Sequence, residues 1–190
     1  MEALLSVFTA FGLSSSAGLN AYLPLLVVAL LARFTHLITL SAPWDAMTSW
    51  WVIGVLTILL LIEMLVDKVP AVDTVNDVVQ TLIRPAAGAV LFASSSGAIS
   101  DAHPVLALAC GLLVAGGVHT VKATARPVIT GTTGGILNPV VSVVEDVVSL
   151  ITALLAIVAP ILGVMLLLLI IFWFVRRLRQ RRREPTPARW

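Results

Sequence analysis

Asn138-Pro139-Val140-Val141-Ser142-Val143-Val144-Glu145-Asp146-Val147-Val148-Ser149-Leu150-Ile151-Thr152 is an apolar stretch carrying one polar stripe. From Asn138, the residues Ser142, Glu145, Ser149 and Thr152 follow at intervals of four, three, four and three. Residues so spaced share one face of an α-helix. Apart from Asp146, everything else between Val140 and Val158 is apolar. Insertion scales put a charge at a helix centre in hydrocarbon at about 2.5–3.5 kcal/mol. A carboxylate on a Ser/Thr-lined strip therefore belongs inside a helix bundle, with the valines and leucines against lipid. Asp146, one position round the helix, is expected to pair with a basic residue elsewhere.

The rest of the chain has the same character. Hydrophobic residues make up 59% of it and charged residues 12%, against about 25% charged in a soluble domain. Its mean hydropathy is +1.04. An ordinary soluble domain is excluded. Uncharged windows run over Ala3–Ala32, Ala46–Ile62, Pro85–Ser100, Ala102–Val121, Pro127–Val144 and Val147–Val175. A crossing takes about 20 apolar residues, so the windows predict an all-α polytopic membrane protein of five or six helices. The last window holds either one long kinked helix or a hairpin bent at Pro160 and Gly163. Residues 1–175 read as a single multi-pass domain and 176–190 as a basic tail. The start lacks a basic n-region, Glu2 being its only charge, which favours a retained span over a cleaved signal. Arg176, Arg177, Arg179, Arg181, Arg182, Arg183 and Arg189 place the tail in the cytoplasm by the positive-inside rule. Contact with anionic lipid is incidental to that role, and nucleic acid is not an expected partner. Trp173, and Trp44, Trp50 and Trp51 far from it, mark membrane interfaces.

Two apolar windows are interrupted. Gly12, Ser14, Ser15, Ser16 and Gly18 fall in the first, and Thr130–Gly135 in the fifth. Irregular backbone at membrane depth is tolerated only where protein or a wet cavity covers it, so each interruption predicts a discontinuous helix or a re-entrant loop. Ser14–Asn20 can be laid on Thr132–Asn138, both ending in Asn with Pro soon after. Arg84-Pro85 and Arg126-Pro127 also recur. Either the chain holds two inverted repeats around a central site, or Gly, Ser and Thr are simply the residues of close helix contacts.

Charges gather in seams. Gly111, Ala115, His119, Lys122 and Arg126 are spaced as one helix face, small in its first half and cationic in its second. Asp73, Asp77, Gln80 and Arg84 form another, opposite Val72, Val75, Val79, Leu82 and Ile83, so that segment lies in the interface or re-enters with its polar side covered. Glu63 and Asp67 close the second window on one face. The inner regions set six acids (Glu63, Asp67, Asp73, Asp77, Glu145, Asp146) against four bases (Lys68, Arg84, Lys122, Arg126). Structural pairing explains any single residue of these, whereas the set together favours a functional cavity with a lean towards cations. His119 is either a proton relay beside a carboxylate or a hydrogen-bonded structural residue. His36, His103 and His119 show no ligand spacing and Cys110 stands alone, so neither metal nor cofactor is expected.

Gly18-Leu19-Asn20-Ala21-Tyr22-Leu23-Pro24, Asp67-Lys68-Val69-Pro70-Ala71-Val72-Asp73, Arg84-Pro85-Ala86-Ala87-Gly88 and Asn138-Pro139 through Glu145-Asp146 resemble signature blocks of a bacterial integral-membrane family. That family is catalogued only as a domain of unknown function. The resemblance spans nearly the whole chain except the Arg-rich tail. It implies one multi-pass domain in the bacterial inner membrane and brings no activity.

The residues themselves point first to a small transporter or channel-like protein acting on a small solute or ion in the lipid bilayer. Ser16, Asn20, Thr133, Asn138 and Ser142 would supply oxygen ligands. Glu63, Asp67, Glu145 and Asp146 would supply negative charge, joined by Lys68, Asp73, Asp77, Arg84, His119, Lys122 and Arg126. At this length a homodimer would help to enclose a path. A membrane enzyme acting on a lipid phosphate stands as the alternative, with Asp67, Asp73 and Asp77 on Mg²⁺. In a third reading the charges only lock helices.

Overall fold

A helix satisfies its interior N–H and C=O groups within one segment, which is what hydrocarbon requires of a backbone. The computed structural model describes residues 2–66, 70–158 and 176. Among these residues run seven α-helices: α1 (Glu2–Leu19), α2 (Tyr22–Phe34), α3 (Trp50–Val66), α4 (Pro70–Ser95), α5 (Ala98–Ala102), α6 (Pro104–Thr133) and α7 (Asn138–Val158). A 3₁₀ turn over Trp44–Thr48 leads into α3. Val78–Ser95 of α4, all of α6 and all of α7 are long and apolar enough to cross a membrane, while α1, α2 and α3 are shorter apolar helices. The protein is an all-helical membrane protein.

Polarity is distributed inside out relative to a soluble fold. Leu113, Val121, Val128, Leu82, Val140, Val144 and Leu155 are exposed. Ser14, Ser16, Asn20, Glu63, Gln80, Arg84, His119, Lys122, Arg126, Asn138, Ser142, Asp146 and Ser149 are buried. At one end of the bundle Trp50 and Trp51 are exposed. The Arg33 guanidinium stacks 4.2 Å from the Trp50 ring centre, and Phe34 meets that ring edge-on. Such a cluster has the aromatic and basic composition found at membrane interfaces.

α1 is the keystone, packed against α4, α6 and α7. Its small residues make that position possible. A Cβ on Gly18 would collide with the Ala115 carbonyl and Val118, and one on Gly12 would collide with Ala156. Ser14 Oγ donates to the Gly88 carbonyl of α4 at 2.9 Å. Ser16 Oγ donates to the Ser149 carbonyl of α7 at 2.8 Å, and Ser149 Oγ donates back to the Ser16 carbonyl at 3.1 Å. Thr9 Oγ1 adds a bond to the Ala156 carbonyl. In a bilayer, association rests on such close packing and polar contact, because lipid is as apolar as leucine. α4 and α6 cross just as closely at Gly88 and Gly111.

The structure corrects several expectations. Ser14–Gly18 is helical, and the first break falls later, at Asn20-Ala21. The glycines and serines there serve packing, so they signal contact and not interruption. Helices also ignore the window boundaries. α4 runs through Arg84-Pro85 and α6 through Lys122 and Arg126-Pro127, because charges on a buried seam do not end a helix. The fifth window is therefore not one segment. It holds the end of α6, capped by left-handed Gly134 (φ 63°) and followed by Gly135 (φ 82°), and then the start of α7. At Gln80 and Arg84 the polar side of α4 is covered by protein.

The α4–α6 crossing can be tested directly. Gly88→Ala is expected to destabilise the protein by about 1–3 kcal/mol, the usual cost of overpacking. Gly54→Ala, on the open face of α3 where an added Cβ meets nothing within 4 Å, should leave stability unchanged or slightly raised. Thermal unfolding of both variants in detergent measures the difference.

Candidate functional site

Helical spacing places Gly111, Ala115, His119, Lys122 and Arg126 on one buried face of α6. The small half of that seam admits α1 and α4, and the cationic half then faces whatever the neighbouring helices present. Three clusters line it.

The first joins α3, α4 and α6. Arg84 Nη2 donates to Glu63 Oε1 at 3.0 Å, and both side chains are essentially excluded from the surface, at 0% and 1% exposed. Arg84 Nη1 lies 3.2 Å from His119 Nδ1, and His119 Nε2 lies 3.1 Å from Thr81 Oγ1. A guanidinium only donates. A hydrogen bond from Arg84 to His119 Nδ1 requires that nitrogen to be bare, with a ring proton on Nε2 towards Thr81. Tyr22 lies against Gln80 within electrostatic reach of Glu63 and Arg84, which brings α2 to the same cluster.

The second joins α6 to α7. Glu145 Oε2 accepts from Lys122 Nζ at 2.8 Å and from Arg126 Nη2 at 2.9 Å. Apart from these ion pairs the two helices make few contacts. Lys122 Nζ also donates to the Leu19 carbonyl at 3.0 Å. That carbonyl is in the last turn of α1, where a cation complements the helix dipole.

The third sits at the break between α1 and α2. Asn20 Nδ2 donates to Asp146 Oδ1 at 2.9 Å. Asn20 Oδ1 accepts the backbone N–H groups of Tyr22 and Leu23, which opens α2. One side chain thus ends one helix, starts the next and fixes a carboxylate of α7.

The stripe on α7 needs correction. Its buried residues are Asn138, Ser142, Asp146, Ser149 and Ala153, so Asp146 occupies the seam and Glu145 its margin, with a side chain 14% exposed. A four-residue step from Ser142 fits the helix as well as a three-residue one, and the position of α1 decides between them. Asp146 accepts from the Asn20 amide, and Glu145 accepts from Lys122 and Arg126. Asn138 is not brought to Asn20. Its Oδ1 accepts from Thr130 at 3.1 Å, and it lies eight residues before Asp146, about 12 Å along the helix. Thr133 donates to its own helix at the Ile129 carbonyl. Ser16 is engaged with Ser149. Asp67 and Lys68 lie outside the described residues, as do the side chains of Asp73 and Asp77. Among the described residues no three His, Cys, Asp or Glu side chains gather as a metal-ligand set. Sequence reasoning missed Thr81 and Tyr22. Thr81 could have been found three residues before Arg84, on the same face of α4.

The chain belongs to the family described as "Domain of unknown function (DUF4126)", whose model matches residues 7–180. No curated protein and no solved structure matches it. Membership brings no activity, so the site has to be tested through its own energetics. Arg84→Leu removes the guanidinium that pairs with the buried Glu63 carboxylate and is expected to cost about 3–5 kcal/mol. The double variant Glu63→Leu, Arg84→Leu should recover most of that loss, read as the midpoint of thermal unfolding in detergent.

Proposed function

We propose that this member of a family of unknown function is a small transporter or channel-like membrane protein that moves a proton or small ion along its buried polar network. One observation carries the reading. A carboxylate, a guanidinium, an imidazole and a hydroxyl (Glu63, Arg84, His119, Thr81) are hydrogen-bonded in series inside an apolar shell. Lys122 and Arg126, further along the same face of α6, form a second buried cluster with Glu145. Replacing buried ion pairs by well-packed apolar residues is often neutral or stabilising, so helix adhesion alone gives little reason for so many desolvated charges.

The chemistry follows from the tautomer. His119 accepts from Arg84 only while Nδ1 is bare. A proton on Nδ1 sets donor against donor, so Arg84 has to leave the imidazole and rely on Glu63. A proton on Glu63 has the converse effect and weakens its hold on Arg84. Each proton gained or lost therefore demands new pairing among α3, α4 and α6, and such re-pairing of packed helices is a familiar element of switching. The carbonyls at the end of α1 and the N–H groups at the start of α2 add half-helix ends of the kind that face ions in discontinuous helices.

This reading places the chain in the bacterial inner membrane with residues 176–190 in the cytoplasm, and a homodimer would help to enclose the path. The breaks at Asn20 and at Gly134–Leu137 would then be corresponding features of two inverted repeats. A competing structural role draws support from the close pairing of Glu63 with Arg84 and of Glu145 with two cations.

Flux measurements on the full-length protein in proteoliposomes, screened across protons, alkali cations, small anions and neutral solutes, separate the two. His119→Gln and Glu145→Gln are expected to cut flux at least about 100-fold, the scale of a lost proton-transfer group, with the variants still folded. Absence of flux for every solute, together with loss of stability in His119→Gln and Glu145→Gln, would leave the structural role.

A further inference from the structure

We infer that the outer face of α3, with Arg33 of α2 at its head, is a binding site for a phospholipid, whose phosphodiester pairs with the Arg33 guanidinium while an acyl chain lies along the helix. The inference goes beyond the transport reading and does not rest on it. Arg33 lies in the last turn of α2, and Trp50 opens α3. The guanidinium is held in two ways. It stacks 4.2 Å from the Trp50 ring centre, and Nη1 donates to the Thr48 carbonyl. Stacking on the ring sets the plane of the group, and the bond to Thr48 sets its rotation within that plane.

What remains is a prepared fork. Nε and Nη2 make no hydrogen bond among the described residues, and no described carboxylate pairs with the group. These two donors lie side by side on one edge of the guanidinium, the geometry that takes two oxygens of one phosphate. A fork that is already oriented loses little freedom when the anion arrives. Charge and geometry together favour a phosphate over a neutral headgroup.

The apolar part of the site is a stripe on α3. Trp51, Val55, Ile58, Ile62 and Leu65 follow at intervals of four, three, four and three, so they share one helix face. All of them are exposed, Trp51 at 86%. The stripe runs about 21 Å down the helix at roughly 1.5 Å per residue. Half of the hydrocarbon core is about 15 Å deep, so the stripe is long enough for an acyl chain. Phe34 meets Trp50 edge-on and is exposed too, which widens the apolar surface near the fork. The order of chemistries names the occupant: a cation, then tryptophans, then aliphatic side chains match a phosphate, the interface and a chain in turn. A free phosphate would use the fork and leave the stripe uncovered.

The test is thermal unfolding of the purified full-length protein in detergent, titrated with phosphatidylglycerol, with diacylglycerol of the same chains or with inorganic phosphate. Native mass spectrometry counts the lipid retained. Phosphatidylglycerol is expected to stabilise the protein saturably and to stay bound, while the other two have little effect. Arg33→Gln should weaken that response about 10- to 100-fold, the size of a lost hydrogen bond to a charged group. Arg33→Lys, which keeps the charge and loses the fork, should fall between the two. Trp51 is so exposed that Trp51→Ala keeps a folded protein, and it should weaken the response severalfold. A native-like response from either Arg33→Gln or Trp51→Ala overturns the proposal. So does equal stabilisation by diacylglycerol, which needs only chains, or by inorganic phosphate, which needs only the fork. A dimer mass whose stability ignores lipid would assign the face to a second copy of the chain and overturn it as well.

Discussion

Arg84 carries a charge that water does not reach, and much of the bundle is arranged to accommodate it. Its guanidinium draws Glu63 of α3 to one nitrogen and His119 of α6 to another. Removing one partner of such a group leaves a buried charge exposed to a low dielectric, which is far more costly than never having the pair. The peripheral helix α3 is thereby tied to the centre through a residue of its last turn, and α6 through its imidazole.

The packing around this network is made of small residues. Gly12, Ser14, Ser16, Ala17 and Gly18 let α1 sit between three other helices, and Gly88 with Gly111 lets α4 meet α6. Lipid supplies no hydrophobic pressure to bring these helices together, so close approach and serine-to-carbonyl bonds do that work. At the end of α1, Lys122 bonds the Leu19 carbonyl and Asn20 holds Asp146.

Transport and helix locking call for different behaviour from the same contacts. A locked bundle needs each charge to keep its partner. A moving one needs partners that can be exchanged at small cost, as when one carboxylate oxygen serves both Lys122 and Arg126 or one imidazole nitrogen turns from acceptor to donor. Degenerate pairing of this kind is what gives a packed interior two arrangements of similar energy.

The fold class was legible in the sequence because the bilayer imposes it: apolar windows, few charges and helical spacing leave little else to form. The cationic seam on α6 was equally legible, since one helix face is set by the chain alone, and His119, Lys122 and Arg126 are buried together as their spacing required. Other features were hidden for a common reason. Gly and Ser look the same whether they break a helix or press it against another, so Ser14–Gly18 read as an interruption when it is the contact surface of α1. On α7, three- and four-residue steps both keep to one face, and only the neighbour shows that Asp146 lies inside and Glu145 at the edge. Which acid meets which base depends on distances between helices, and these are determined by side-chain volumes at crossings far apart in the chain. Sequence alone determined that the cations of α6 would share one buried face; the tertiary structure decided the pairs, because Coulomb energy depends on separation and local helical order does not encode it.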